Sequence, residues 1–192
     1  MPELPEVETI VRDLRPRLIG QVLKHPRLHQ TDVLYRVRPA QLLRALAGRR
    51  VVEVTRRAKH AVLRLNSGHR LVIQPGMTGA LLIYRRPLTE DERRYAVLTA
   101  QLSRNGTFVY RDVRRLGTIL LVNEAGWRAY SARIGPEPLD PDFDAGRLGA
   151  VLASTRQAVK KAIMDQRLLA GVGNIYANEA LFRARIDPSK PA

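Results

Sequence analysis

Apolar residues recur at helical spacing over residues 6–18, where Val7, Ile10, Val11, Leu14 and Leu18 fall on one face. Pro5 suits the first turn of such a helix, and Pro16 should end or kink it. Residues 39–47 repeat the pattern in a shorter helix stopped by Gly48. Between and beyond these helices the pattern is that of short strands, at 21–28, 51–57, 61–66, 70–74, 79–84, 95–102, 107–111 and 118–123. Asn66-Ser67-Gly68, Pro75-Gly76 and Asn105-Gly106 punctuate them. Asn105-Gly106 is a good hairpin turn because both residues tolerate positive φ. Eight short strands at this spacing predict an antiparallel sandwich or barrel.

The pattern then changes. Residues 135–141 (GPEPLDP) hold three prolines and read as a linker, and the segments 145–154, 155–166 and 175–185 read as helices. The predicted organisation is a β-rich domain over 1–134 and a helical domain over 135–192. Two or three helices give a thin core, so the second domain is expected to be partial. The fold class is α+β: an antiparallel β-sandwich with an N-terminal helix, followed by a partial helical domain.

Composition sharpens this picture. The chain of 192 residues carries 33 Lys plus Arg against 18 Asp plus Glu, a net charge of +15, and 28 of the 33 are arginine. An excess of this size favours a polyanion, because phosphates neutralised by arginine release counterions without any need for sequence reading. No apolar run approaches the ~20 residues of a membrane-spanning helix, and no secretory signal opens the chain. A cytoplasmic protein with no membrane partner is expected. There is no cysteine, which excludes disulfides, thiol catalysis and Cys-ligated metal. His25, His29, His60 and His69 show no metal-ligand spacing. No metal and no cofactor is therefore expected in this chain.

The first ten residues, MPELPEVETI, admit two readings. Pro and acidic residues are favoured at a helix start. Alternatively, removal of Met1 would expose the secondary amine of Pro2. An α-amine has a pKa near ~8 and is partly unprotonated at neutral pH. It can attack a sugar carbon and form an iminium, with Glu3 and Glu6 as proton donor and acceptor. Retention of Met1 would turn the Pro2 nitrogen into an amide and block it.

The string MPELPEVETI resembles the N-terminus of the bacterial formamidopyrimidine-DNA glycosylase family. Further segments agree in the same order: Arg56-Arg57-Ala58-Lys59, Pro75-Gly76-Met77-Thr78-Gly79, the run from Tyr110 to Gly117, Gly135-Pro136-Glu137-Pro138-Leu139, and the stretch from Asp165 to Tyr176. The resemblance covers essentially the whole chain. It implies a two-layer β-sandwich joined to a helix–two-turn–helix domain. It also implies excision of oxidised purines (8-oxoguanine and formamidopyrimidines) from double-stranded DNA, followed by strand cleavage at the abasic site through β/δ-elimination. A monomer is expected.

By the same resemblance Pro2 is the nucleophile, Glu3 the main acid/base and Glu6 a second acidic residue of the sugar network. Lys59 is a phosphate-contacting catalytic lysine, in a turn from which its ammonium would reach outward; without the resemblance it reads as an ordinary exposed lysine. Met77 and Arg114 fill the space left by the flipped base, and Leu116 stands where the family has Phe. Core filling is the plainer reading of Met77. Asn174 is expected to cap the helix after Gly171 and Gly173 and to bind a phosphate there. Lys160 and Lys161 read as a solvated face, and Gln74 is given no role. The family's C-terminal zinc finger has no counterpart here. The alternative function is a catalytically silent or impaired DNA-binding homologue. A general nucleic-acid-binding β domain, with a purely structural Pro-Glu start, is a third.

Overall fold

The computed structural model describes residues 2–192; the retention of Met1 lies outside the described residues. Two compact units are present. One runs to Arg56 and resumes over His60–Trp127, and the other comprises Arg57–Lys59 with Arg128–Ala192.

The first unit opens with helix α1 (Leu4–Leu18), which buries Leu4, Val7, Val11, Leu14 and Leu18. Pro16 sits inside its last turn. A proline removes one N–H and crowds the carbonyl four residues earlier, and the helix ends two residues later. The strands are β1 (Val22–Leu28), β2 (Arg49–Arg57), β3 (His60–Leu65), β4 (Arg70–Gln74), β5 (Gly79–Tyr84), β6 (Ala96–Leu102), β7 (Thr107–Asp112) and β8 (Thr118–Val122). Their order is β5-β7-β6-β1-β2-β3-β4-β8, with antiparallel pairing. One core receives side chains from both ends of this series: Leu81, Phe108, Tyr110 and Leu98 from one side, Leu63, Leu71, Ile73 and Ile119 from the other. This is the two-layer arrangement expected of a sandwich. Helix α2 (Pro39–Leu46) adds Leu42 and Leu46 to the core.

All eight predicted strands are present, with ends shifted by a residue or two. Asn105 and Gly106 take φ of 110° and 103° in the β6–β7 turn. In β1 the register shifts between Lys24 and Arg27, His25 has φ of 46°, and Pro26 occupies the irregularity, where a strand tolerates proline.

Two helices escape the periodicity argument. Helix α3 (Glu90–Arg94) buries none of its residues and is made by a capping box, with Thr89 accepting from Glu92 N and Glu92 accepting from Thr89 N at 2.8 Å. Helix α4 (Glu124–Ser131) likewise has no buried residue, and Asn123 Oδ1 accepts from Gly126 N at 2.9 Å at its start.

The second unit contains α5 (Ala145–Ala153), α6 (Val159–Met164) and α7 (Asn174–Ala184). Val159, Ile163, Leu169, Ala177 and Leu181 form its core, with Phe143, Leu148 and Leu152 packed against them. The helix expected over 155–166 is shorter than its apolar pattern. Val159 N donates to Lys190 O at 2.7 Å and Ala192 N to Gln157 O at 2.9 Å. That pairing holds residues 157–159 against the returning chain, so the helix starts only at Val159.

Candidate functional site

Pro2 stands one residue before the N-cap of α1 and is half-buried. Glu3 is the N-cap residue and only 3% exposed. Its N–H donates to Glu6 Oε2 at 2.9 Å, and the pair forms a reciprocal capping box. The helix start thus fixes the direction of the Glu3 backbone, and with it the nitrogen one residue earlier. One turn on, Glu8 accepts from Arg12 and from Arg56, each at 2.9 Å. Burial pushes the Glu8 carboxyl up, but the hydrogen bonds from Arg12 and Arg56 outweigh it and hold it below its ordinary value. The Arg56 side chain is 6% exposed, so this ion pair joins α1 to β2 out of solvent.

Met77, Arg114 and Leu116 come together on two loops, one between β4 and β5 and one between β7 and β8. Asp112, 1% exposed, ties the loops together. Its Oδ1 accepts from Thr78 Oγ1 at 2.5 Å. Its Oδ2 accepts from Gly117 N at 2.9 Å and from the Tyr110 hydroxyl at 3.3 Å. Burial first, then the Asp112 charge and hydrogen bond, push the Tyr110 phenol well above its usual range, so it stays a donor. Thr78 Oγ1 also accepts from Arg114 N at 2.9 Å.

The two backbones touch. A Cβ at Gly76, which has φ of 69°, would lie 2.5 Å from Gly117 N. One at Gly117 would lie 2.0 Å from the Tyr110 hydroxyl. Glycine is required at both places by close approach, and at Gly76 by its left-handed conformation as well.

On this platform Met77 is 50% exposed and Leu116 56% exposed. Arg114 Nη2 donates to Met77 Sδ at 2.6 Å. Met77 is therefore not core filling: it is held outward beside a guanidinium. Arg115, at φ of 52°, anchors the second loop to Gln30 at 2.9 Å and Asp32 at 3.1 Å. Helix α1 packs on β5, the strand that begins at Gly79 just after the Met77 loop.

The remaining expected residues lie in the second unit. Lys59 occupies a two-residue turn between β2 and β3, as expected, but it is 7% exposed and does not stand out in solvent. The turn is pulled inward by its neighbours. Arg57 Nη1 donates to Glu137 Oε1 at 2.8 Å, and its other nitrogens donate to Ser131 Oγ at 3.0 Å, Ile134 O at 2.6 Å and Gly135 O at 2.9 Å. Ala58, at φ of 50°, donates its N–H to Glu137 Oε1 at 2.6 Å.

Asn174 does not cap α7. The N-cap is Gly173, in an extended conformation, and Asn174 is the first helical residue, exposed. The turn before it is organised by Gln166. This side chain donates to Met164 O and Val172 O at 2.9 and 2.8 Å and accepts from Gly171 N at 2.8 Å. Gly171 supplies the positive φ, 78°.

Asp112, Thr78, Arg57, Glu137 and Gln166 had no assigned role in the sequence reading. All five lie inside the segments that carry the family resemblance. The available signal was a carboxylate closing an apolar strand at Asp112, and an arginine and glutamate each bordering a turn.

Among the described residues no group of three or more His, Asp or Glu could hold a metal ion. With no cysteine in the chain, its residues do not fit the family's zinc finger. No helix is long and apolar enough to cross a membrane.

The family model for the formamidopyrimidine-DNA glycosylase N-terminal domain matches residues 1–119, and that for the H2TH domain of the same enzymes matches residues 134–192. A formamidopyrimidine-DNA glycosylase of Thermomicrobium roseum is 41% identical over 207 residues, covering 99% of this chain and 70% of the relative. One of Methylococcus capsulatus is 41% identical over 193 residues, covering 100% of this chain and 70% of the relative. Among solved structures, the Lactococcus lactis Fpg bound to DNA containing an abasic site superposes with a TM-score of 0.86 at 30% identity, covering 98% of this chain and 69% of that one. The same protein bound to DNA with N7-benzyl-Fapy-dG gives 0.87 at 31% identity, covering 99% and 70%.

Proposed function

Since the chain belongs to the formamidopyrimidine-DNA glycosylase family, a family of DNA glycosylases of base-excision repair, we propose that it removes oxidised purines from duplex DNA and then nicks the strand through a Schiff base on Pro2. The observation that carries this reading is the start of α1. A proline nitrogen stands next to a buried glutamate, Glu3, whose backbone is fixed by Glu6.

The chemistry follows from that placement. With Met1 removed, the Pro2 nitrogen is a secondary amine, partly neutral at pH 7. Its lone pair attacks C1′ of the deoxyribose, and the bond from C1′ to the base breaks. The base leaves with the electron pair and takes up a proton from solvent, while the attacking nitrogen gives up its N–H proton to Glu3. Opening of the sugar ring gives an iminium at C1′, with Glu3 delivering a proton to the ring oxygen. The iminium withdraws electrons, a C2′ proton is lost, and the 3′ phosphate leaves by β-elimination. A second elimination releases the 5′ phosphate, and water frees Pro2.

Such an attack needs the nucleotide out of the helical stack. Met77 and Leu116 are exposed apolar wedges and Arg114 a donor beside them, suited to fill the vacated space and meet the orphaned base. Leucine fills that space without an aromatic face to stack, so the probe is weaker than a phenylalanine. Lys59 and the exposed α7 start at Asn174 are assigned to phosphates flanking the lesion. A helix N-terminus offers unpaired N–H groups and a positive dipole end to a phosphate.

Borohydride trapping on a duplex with one abasic site tests the reading. The expected result is one covalent adduct that maps to the N-terminal peptide and is lost in a form retaining Met1. No adduct, with duplex binding intact, would leave the silent DNA-binding homologue. An adduct on a lysine would overturn the assignment to Pro2.

A further inference from the structure

Three concavities adjoin one another on the strand-rich unit: two lie at the Thr107 end of β7, the end opposite Asp112, and the other runs from there along β6 to Ala96. The first is lined by His25, Arg27, His29 and Arg93. The second is lined by Arg85 and Arg86 beside Tyr84, and the third by Arg17, Arg85 and Arg104. The first and second share Gln101 and Thr107, and the second and third share Arg85 and Asn105, so they form one trough. No aspartate or glutamate lines any of the three.

Arg17 is engaged by Asp13 and Arg86 by Glu92. Among the described residues, Arg27, Arg85 and Arg104 have no acidic partner. Sheet register sets the trough's direction. Lys24 faces Gln101, Gln101 faces Thr107, and Thr107 faces Tyr84, a single row across four strands. At about 4.8 Å per strand the row spans about 14 Å. Measured along the helix axis, one strand of a duplex carries a phosphate every ~3.4 Å, so a duplex aligned with the row presents about four from one strand over that distance.

We infer that this trough is a second nucleic-acid surface, holding the phosphate backbone of duplex DNA away from the nucleotide under repair. It rests on the proposed function only in taking DNA as the polyanion. Arginines spread along adjoining concavities without a lining carboxylate match an extended phosphodiester better than a folded acidic protein, which would need apolar anchor pockets. They also suit it chemically, because arginine grips phosphate oxygens in a bidentate fork. Arg86 lies 5.1 Å from the Tyr84 ring centroid and so covers a face on which an unpaired base would stack. Backbone contact with a duplex is what remains.

The test replaces three exposed arginines together, Arg27→Ala, Arg85→Ala and Arg104→Ala, and follows binding to an undamaged duplex by fluorescence anisotropy across a salt series. The expected result is a drop of about 2–3 in the slope of log affinity against log salt, since each lost phosphate contact removes about 0.9. Affinity at low salt should fall ~10-fold or more. The charge-conserving triple Arg→Lys variant should recover most of the slope. Borohydride trapping at saturating protein should be unchanged, which separates this surface from the lesion site. An unchanged slope and affinity in the folded triple variant would overturn the inference while leaving the glycosylase reading intact. Loss of binding to a poly-glutamate peptide with duplex binding unaltered would also overturn it.

Discussion

Asp112 is the residue on which the wedge loops depend. It is buried, and it accepts from a threonine hydroxyl, a tyrosine hydroxyl and a backbone N–H on two different loops. Asp112→Asn keeps one acceptor oxygen but turns an amide toward groups that are themselves donors. Leaving a buried donor unpaired costs about 1–3 kcal/mol, so a loss of about that size is expected in urea unfolding. Base excision should fall further than stability alone explains, because Met77 and Arg114 lose their platform. Met77→Ala makes the contrast. Its side chain is half exposed, so stability should hardly change while excision drops. Equal stability losses in the two variants would contradict this division of roles.

Much of this was legible residue by residue, and the failures have a common cause. Pro2, Glu3, Met77 and Arg114 sit in strings specific enough to be picked out. Lys59 was placed in the right turn but expected in solvent. The turn that holds it is tied down by a bond from Arg57 to Glu137, 80 positions apart, and no local pattern reports a contact at that range. Asn174 was given the cap because asparagine favours it, yet Gln166 shapes the turn and leaves the cap to Gly173.

At the scale of elements, the strands were legible as short aliphatic and aromatic runs closed by turn residues, and β3, β4, β6, β7 and β8 bury consecutive residues in the core. Helices α3 and α4 were not, since neither buries a residue and each starts at a local side-chain hydrogen bond rather than on an apolar stripe. They are made by local caps, so only the Thr89–Glu92 and Asn123 signals could have found them. Helix α1 matters most to function, since its capped start fixes the backbone beside the candidate nucleophile, Pro2. It is pinned to β2 through Glu8 and the largely buried Arg56. The Glu8 carboxyl is held below its ordinary value, so it binds protons less readily when folded than when unfolded. Its contribution is therefore present above the unfolded carboxylate pKa of about 4.3 and is lost as pH falls through the lower folded value. Glu8→Gln removes that dependence. The variant should be less stable than the parent at pH 7, and the difference should shrink in thermal melts taken below about pH 4. A difference independent of pH would mean that Glu8 acts by packing alone.

At the scale of the whole molecule, the two units have unequal cores. The strand unit buries aliphatic and aromatic side chains from eight strands and two helices, whereas the helical unit buries Val159, Ile163, Leu169, Ala177 and Leu181. Apolar burial stabilises by roughly 25 cal/mol per Å², and little area is available in a core of that size. The helical unit should therefore open at lower free energy than the strand unit, as small cooperative units do. It is also the unit that carries Lys59 and the α7 start, the proposed phosphate contacts. A ligand that binds only the closed form adds stability as RT ln(1 + [L]/Kd), about 2.7 kcal/mol at one hundred times Kd. Hydrogen exchange measures both effects. Amides of α6 and α7 should exchange faster than those of β6 and β7 in the free protein. A saturating duplex carrying a non-cleavable abasic analogue should slow α7 by up to about 100-fold, the same 2.7 kcal/mol expressed as a rate. The central strands, already protected near the global limit, should gain less. Uniform slowing across both units would mean that the chain opens as one body and that the thin core is not its weak point.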